Sequence, residues 1–332
     1  MLKYFEKYFK NFEEDPKSSI EDMVKSCDDQ LFSSGIETSL SGTTALIIVV
    51  NTLGIHAGSV GDSRAILATL PKKLTSEKST QQTTDSSRVS KNPDSTNAFI
   101  YKNIYKRPVN PSRKLSIITL TIDQKPNNEE ELKRINNSGG IVEKIIDDLG
   151  QPIGPYRVWS KKIHLPGLAM SRSIGDRFAH EIGVVSTPII NSFTYYPNID
   201  QFIVIASDGI WDVMNNSEVV NFIEKFRYST QNEGNSYPAR TSNSSIARLV
   251  CEEARYRWMG IVEKEDVMID DISCVVLEFN DLENFSQEKF LGEFNKENMF
   301  RSISIGSTWK KDKGNTGRND PVRGSVAGGQ NL

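Results

Sequence analysis

Histidine and cysteine are both scarce in this chain, three of each among 332 residues. The cysteines, Cys27, Cys251 and Cys274, are far apart and odd in number, which argues against a disulfide framework. The histidines, His56, His164 and His180, stand near no cysteine pair, which argues against a zinc site. A reducing compartment is therefore expected, the cytoplasm first and the nucleus as the alternative. Long apolar runs are also missing. The longest lies near residues 45–50, far short of the roughly 20 residues a membrane-spanning helix needs, so no membrane association is expected. The opening residues mix charge with aromatics and offer no small-residue cleavage site, so no secretory signal is read there. Nor is there an excess of positive charge. Lys and Arg total 40 against 43 Asp and Glu, a net charge of −3, which leaves no electrostatic footprint for nucleic acid.

What is present suits a folded enzyme-sized domain. Hydrophobic residues make up 37% and charged residues 25%, enough for a sizeable core. Leu2, Phe5, Phe9 and Phe12 recur at helical spacing, and residues 18–32 repeat the pattern with Ile20, Met23, Val24 and Leu31. Strands are expected within residues 41–69, 115–123, 156–174, 202–213 and 270–279, all in one sandwich. The residues that follow Pro126 read as a helix capped by Asn127 or Asn128, acidic at its start (Glu129, Glu130, Glu131) and stopped by Gly139 and Gly140. Asn215 with Glu218 three residues later reads as a capping box. Residues 71–114 hold ten Lys or Arg and three Asp or Glu, a local net charge of about +7, and read as a basic polar insertion. Residues 281–332 read as a C-terminal extension, without regular structure after about 302. Strands joined by tight turns with helices between them argue for α+β rather than a parallel doubly wound sheet.

The informative feature is a series of aspartates at strand ends. Asp62 lies in Val60-Gly61-Asp62-Ser63-Arg64, Asp123 ends Leu120-Thr121-Ile122-Asp123, and Asp176 ends Ser173-Ile174-Gly175-Asp176. Asp208 and Asp212 lie in Ser207-Asp208-Gly209-Ile210-Trp211-Asp212, and Asp270 and Asp271 open the last strand. An apolar strand that delivers a carboxylate to its end suits a hard cation, since Mg²⁺ and Mn²⁺ take oxygen ligands and keep several waters. Singly, each is a turn residue or a cap as readily as a ligand. For Asp62 the reading is an ion pair with Arg64 or a turn hydrogen bond. Asp176 reads equally as a partner of Arg172 or Arg177.

Taken in order, these segments resemble the metal-dependent PPM (type 2C) protein phosphatases, plant and protist branch. The matching residues are Ser41-Gly42-Thr43-Thr44-Ala45, Val60-Gly61-Asp62-Ser63-Arg64-Ala65, Asp123 with Lys125 and Pro126, and Glu131 with Arg134. Arg157-Val158-Trp159, Gly167-Leu168-Ala169-Met170-Ser171-Arg172-Ser173-Ile174-Gly175-Asp176, Ala206-Ser207-Asp208-Gly209 and Asp270-Asp271-Ile272-Ser273 complete them. The resemblance covers roughly residues 1–280. It implies a four-layer α-β-β-α sandwich of two antiparallel sheets, and a site where two Mg²⁺ or Mn²⁺ ions activate a water for in-line attack on phosphoserine or phosphothreonine in proteins. By the family pattern Asp208 and Asp270 are metal ligands, Asp123 and Asp212 serve a weaker third ion, and Asp176 and Arg172 lie near the flap that borders the substrate. A monomer is expected.

The family's site also uses an Arg, a Met-Glu-Asp strand and an Asp-Gly-His-Gly turn, and none of these occurs in the 332 residues. The chain reads as beginning just past that turn, with two strands and the acid His absent. Gln124 stands where the family often has His. Three readings follow: part of an active phosphatase, a non-catalytic relative that binds partners, or a different phosphate-handling enzyme with a carboxylate-held cation.

Overall fold

Helix α1 (Asn11–Glu14) runs into α2 (Pro16–Ser33). The break between them is capped. The Asp15 carboxylate accepts from Ser18 N at 3.1 Å, and Pro16 takes the first helical position, where no amide is needed. The structure, a computed structural model, describes residues 11–71, 114–229, 245–262, 269–279 and 300–307. The periodic segment of residues 2–9 and nearly all of the 71–114 insertion lie outside these.

Strands follow: β1 (Gly42–Thr43), β2 (Ala45–Asn51), β3 (Gly54–Val60), β4 (Arg64–Thr69) and β5 (Ser116–Thr119). Next come α3 (Glu129–Asn137), β6 (Gly140–Ile146), β7 (Pro152–Ser160), β8 (Pro166–Leu168), β9 (Ile174–Gly175) and α4 (Arg177–His180). The chain continues with β10 (Ile189–Phe193), β11 (Asp200–Ala206), α5 (Asp208–Trp211), α6 (Asn216–Ser229), α7 (Ile246–Val262), β12 (Ser273–Phe279) and β13 (Phe300–Ser307).

Two antiparallel sheets form the centre, one ordered β13-β12-β11-β4-β5 and the other β10-β3-β2. Period-two alternation explains why they stack with helices outside. On β4, Ala65 and Leu67 face the second sheet and pack with Ile55, Ala57 and Ile203. Ile66 and Ala68 point the other way, into a layer with Val219, Ile223, Val250 and Trp258 of α6 and α7. On β2, Leu46, Ile48 and Val50 face the sandwich interior. Ala45, Ile47 and Val49 meet Ile20, Met23 and Val24 of α2. Gly58 lets that helix sit close, because a Cβ there would stand 2.5 Å from Ile20 Cγ2. The α-β-β-α order follows directly, and no described helix is long and apolar enough to cross a membrane.

The expected sandwich needs two corrections. Residues 156–168 belong to a separate three-stranded sheet, β6-β7-β8, and Ile174 pairs with Thr43 in a two-stranded ribbon. Alternation specifies a strand but not its sheet, and only Val158 and Ser160 of β7 are buried. Within 202–213 the strand ends at Ala206, and Trp211 Nε1 donates back to the Ala206 carbonyl at 2.9 Å to close the short helix α5. The tail read as irregular after about 302 also contributes β13, which pairs with β12 from Ser273↔Ser307 to Phe279↔Phe300. Without β13, one edge of β12 would present its amides and carbonyls unpaired.

Candidate metal centre

Strand order brings the acidic segments together. In an antiparallel sheet β12-β11-β4-β5, the end of β11 lies beside the start of β12, the start of β4 and the end of β5. Ala206 pairs with both Cys274 and Arg64, and Ile66 pairs with Thr119. Asp208, Asp270, Asp62 and Asp123 are therefore delivered to one end of the five-stranded sheet, although up to about 210 positions separate them in sequence.

The turn before β4 is held from below by Gln124, which is fully buried. Its side-chain carbonyl accepts from Gly61 N at 2.6 Å, and its amide donates to Ser59 O at 2.9 Å. Gly61 has φ +98° and packs on Thr44, a conformation and a space that suit glycine. Asp62, buried at this turn, accepts from Lys125 Nζ rather than pairing with Arg64 as expected. Arg64 reaches across to Asp123, with Nε donating to Oδ1 at 2.9 Å and Nη2 to Oδ2 at 2.6 Å. Its Nη1 donates to Asn216 Oδ1 at 2.8 Å, and its guanidinium lies over the Trp211 ring at 5.1 Å. Both carboxylate oxygens of Asp123, expected at a third ion, are thus engaged by a protein cation.

Asp208 opens α5 and is anchored on both sides. Trp258 Nε1 donates to Gly209 O at 2.7 Å, and the Ser207 hydroxyl donates to Asp271 O at 2.9 Å. Gly209 lies so close to Asp271 that an added Cβ would stand 2.5 Å from its carbonyl oxygen. Burial first, then the charges of Asp62, Asp270 and Asp212, push the Asp208 carboxyl up to about 6, against the pull of Lys125. Asp212 moves upward too. Desolvation by its neighbours is the main cause, Lys125 and Arg64 oppose it, and Asp62 and Asp270 add to it. The Lys125 ammonium is raised although its burial works the other way, because Asp62, Asp212 and Asp208 surround it. The cluster carries more negative charge than Lys125 and Arg64 neutralise.

That imbalance, made of hard oxygen donors, fits a divalent cation. Among the described residues no three Asp, Glu, His or Cys side chains are gathered in ligating geometry. Mg²⁺ is commonly held by one or two carboxylates with waters completing its shell, so the donors fit in kind.

The structure places Arg172 and Asp176 apart from this cluster. Arg172 donates to Glu131 (Nη2 to Oε1, 2.7 Å) and to Thr187 O (2.8 Å). Glu131 is only 5% exposed and also takes both terminal nitrogens of Arg134, at 3.0 and 2.8 Å. The Ser171 hydroxyl lies 2.6 Å from Glu131 Oε2 and 2.8 Å from the Gln124 carbonyl oxygen, which ties this network to the floor of the site. Asp176 is buried in a left-handed conformation, φ +45°, with its amide donating to Ser41 O at 2.9 Å. Its pKa is raised by burial, against the neighbouring Ser173 hydroxyl and His180, and it forms no ion pair with Arg172 or Arg177. Gly42 packs on its carboxylate, where a Cβ would come within 2.0 Å of Oδ2. Sequence reasoning missed the counter-cation role of Lys125 and offered Arg64 to Asp62 instead of Asp123. Both sit in the matched segments, but which carboxylate each takes depends on strand order.

Residues 5–116 and 111–258 match the family profile described as "Protein phosphatase 2C". Among curated relatives, "Probable protein phosphatase 2C 14" of Oryza sativa subsp. japonica is 28% identical over 251 residues, 76% of this chain and 37% of the relative. "Probable protein phosphatase 2C 1" of Arabidopsis thaliana is 31% identical over 242 residues, 73% of this chain and 39% of the relative. The chain thus spans about half or less of the curated relatives it matches. Among solved structures, a serine-threonine phosphatase 2C from Toxoplasma gondii superposes with a TM-score of 0.56 at 17% identity, covering 82% of this chain and 70% of that one. At that identity the likeness speaks to the fold.

Proposed function

The chain belongs to the protein phosphatase 2C family, and on that premise we propose that it is the core of a metal-dependent phosphatase acting on phosphoserine and phosphothreonine in proteins. The observation that carries the proposal is the only partly compensated acidic cluster at the end of the five-stranded sheet, with Asp208 raised to about 6 by burial and then by the charges of Asp62, Asp270 and Asp212. Asp208 and Asp270 would hold the cation, with Asp212 at the rim. A divalent ion bound there lowers the pKa of a water and neutralises phosphate oxygens, so no side-chain nucleophile is needed.

The chain's own residues set the stage for that chemistry. Asp62 holds Lys125 so that its ammonium stays among the carboxylates, where it limits their mutual repulsion and offers a positive charge to an arriving phosphate. Trp258 and Ser207 fix the segments that carry Asp208 and Asp270 relative to each other. Gly209 permits the close approach this requires.

A second reading, a non-catalytic chain that binds phosphoproteins, is favoured by the lack of a three-ligand group among the described residues. A phosphopeptide assay separates the two. It compares three proteins: this chain, the chain extended with the family's Arg, Glu-Asp and Asp-Gly-His-Gly segment, and the extended chain carrying Asp208→Ala. The expected result is very weak turnover by the first, Mn²⁺-dependent turnover by the second, and none by the third. An acid to protonate the leaving group alone contributes roughly 10²–10⁴ in rate. Turnover that survives Asp208→Ala would sink the assignment, and silence from the extended chain would favour the binding reading.

A further inference from the structure

We propose that Arg64 is the resident cation of Asp123 in this chain, and that Asp123 is consequently a partner of protein charge rather than a ligand for a third metal ion. The inference rests on the proposed metal centre only in its Mn²⁺-binding arm.

Four parts of the fold lock the pair. Arg64 starts β4, and its fork meets both Asp123 oxygens at 2.9 and 2.6 Å, the bidentate geometry in which guanidinium and carboxylate match best. Asn216, at the start of α6, takes the remaining terminal nitrogen at 2.8 Å, and Trp211 of α5 closes one face of the guanidinium. The segment that carries Asp123 is held by Asn128, whose amide donates to the Asp123 carbonyl at 2.9 Å. The Arg64 and Asp123 side chains are only 23% and 20% exposed. A divalent ion at Asp123 must displace a planar cation already seated by two other contacts, and would leave that cation between Trp211 and Asn216 without its counter-charge. The Arg is preorganised and the ion must shed water, so the resident cation wins.

The test uses the full chain and its Asp123→Asn, Arg64→Gln, Arg64→Gln/Asp123→Asn and Asp208→Asn variants. Bound Mn²⁺ is counted by electron paramagnetic resonance of the free ion, and urea unfolding is followed in EDTA. Asp123→Asn should leave Mn²⁺ stoichiometry and affinity within twofold of the parent while lowering stability. Arg64→Gln should tighten Mn²⁺ binding or add an ion, and that gain should vanish in the double variant. In EDTA the Arg64–Asp123 coupling should be at least tenfold in the unfolding equilibrium constant. Should Arg64→Gln fail to fold, Arg64→Lys, which keeps the charge but loses the fork, takes its place with the same expected direction. A tenfold loss of Mn²⁺ affinity in Asp123→Asn, or a coupling near onefold, overturns the inference. Unchanged binding in Asp208→Asn would instead overturn the proposed metal centre and leave the EDTA coupling to decide on Arg64.

Discussion

Glu131→Gln tests the physics of the site's floor. Glu131 is a buried carboxylate that accepts from Arg134, Arg172 and the Ser171 hydroxyl. Burial alone would raise its pKa, but hydrogen bonds from Arg172, Arg134 and Ser171 overcome this and hold it at about 2, against 4.5 for the free group. A folded pKa below the unfolded one stabilises the protein above the unfolded value, and that stability is lost as pH falls from about 4.5 toward 2. At roughly 1.4 kcal/mol per unit the interval corresponds to about 3 kcal/mol. Glutamine removes the charge and points an amide at two half-buried guanidiniums, which leaves both without their counter-charge. Breaking a buried pair in this way typically costs about 3–5 kcal/mol, so the two routes agree. Urea unfolding at pH 7 should therefore show Glu131→Gln destabilised by about 3 kcal/mol. Between pH 5 and pH 3 the parent should lose stability faster than the variant, whose residue 131 no longer titrates. A loss below about 1 kcal/mol, or identical pH slopes, would refute the reasoning.

Three further outcomes are expected. Gly42→Ala should destabilise by about 1–3 kcal/mol, because its Cβ would meet Asp176 Oδ2 and the Ile174 carbonyl, and thermal unfolding measures it. Gly209→Ala should weaken Mn²⁺ binding several-fold in a titration while leaving far-ultraviolet circular dichroism unchanged, since the clash is with Asp271 O beside Asp270. Asn215→Ala should cost about 1 kcal/mol in urea unfolding, since Asn215 Oδ1 accepts from Glu218 N while Glu218 Oε2 accepts from Asn215 N.

Local chemistry proved readable in the sequence where its partners were close in sequence. The Asn215 and Glu218 box needs only residues three apart, and it forms. The two-sided apolar pattern of β4 and β11 is what a central strand between sheet and helices requires. Asn128 shows the limit. It occupies the cap position of α3, yet its side chain makes no cap bond and instead donates to the Asp123 carbonyl. Asp62 shows the same limit at longer range. Arg64 is two residues away, but strand pairing turns Arg64 toward β5 and Asp123, and Asp62 takes Lys125. Partner choice among charges in one cluster is decided by strand order, which no local pattern encodes. The same holds for β7, whose alternation could serve either the central sandwich or the side sheet it joins.

The hairpin of β4 and β5 carries its own consequence. Thr69 pairs directly with Ser116, so the chain leaves and re-enters the sheet one strand spacing apart, about 4.8 Å. The sheet therefore constrains the two ends of residues 70–115 and is indifferent to their length. Closing a loop costs only about 0.6 kcal/mol more for each doubling of its length, so growing a short turn to this size costs roughly 2 kcal/mol in chain entropy. That is small enough to be carried by the stability of one domain. A change of length or charge between Thr69 and Ser116 therefore leaves the strand pairing of the sandwich, and the Arg64 end of β4, untouched.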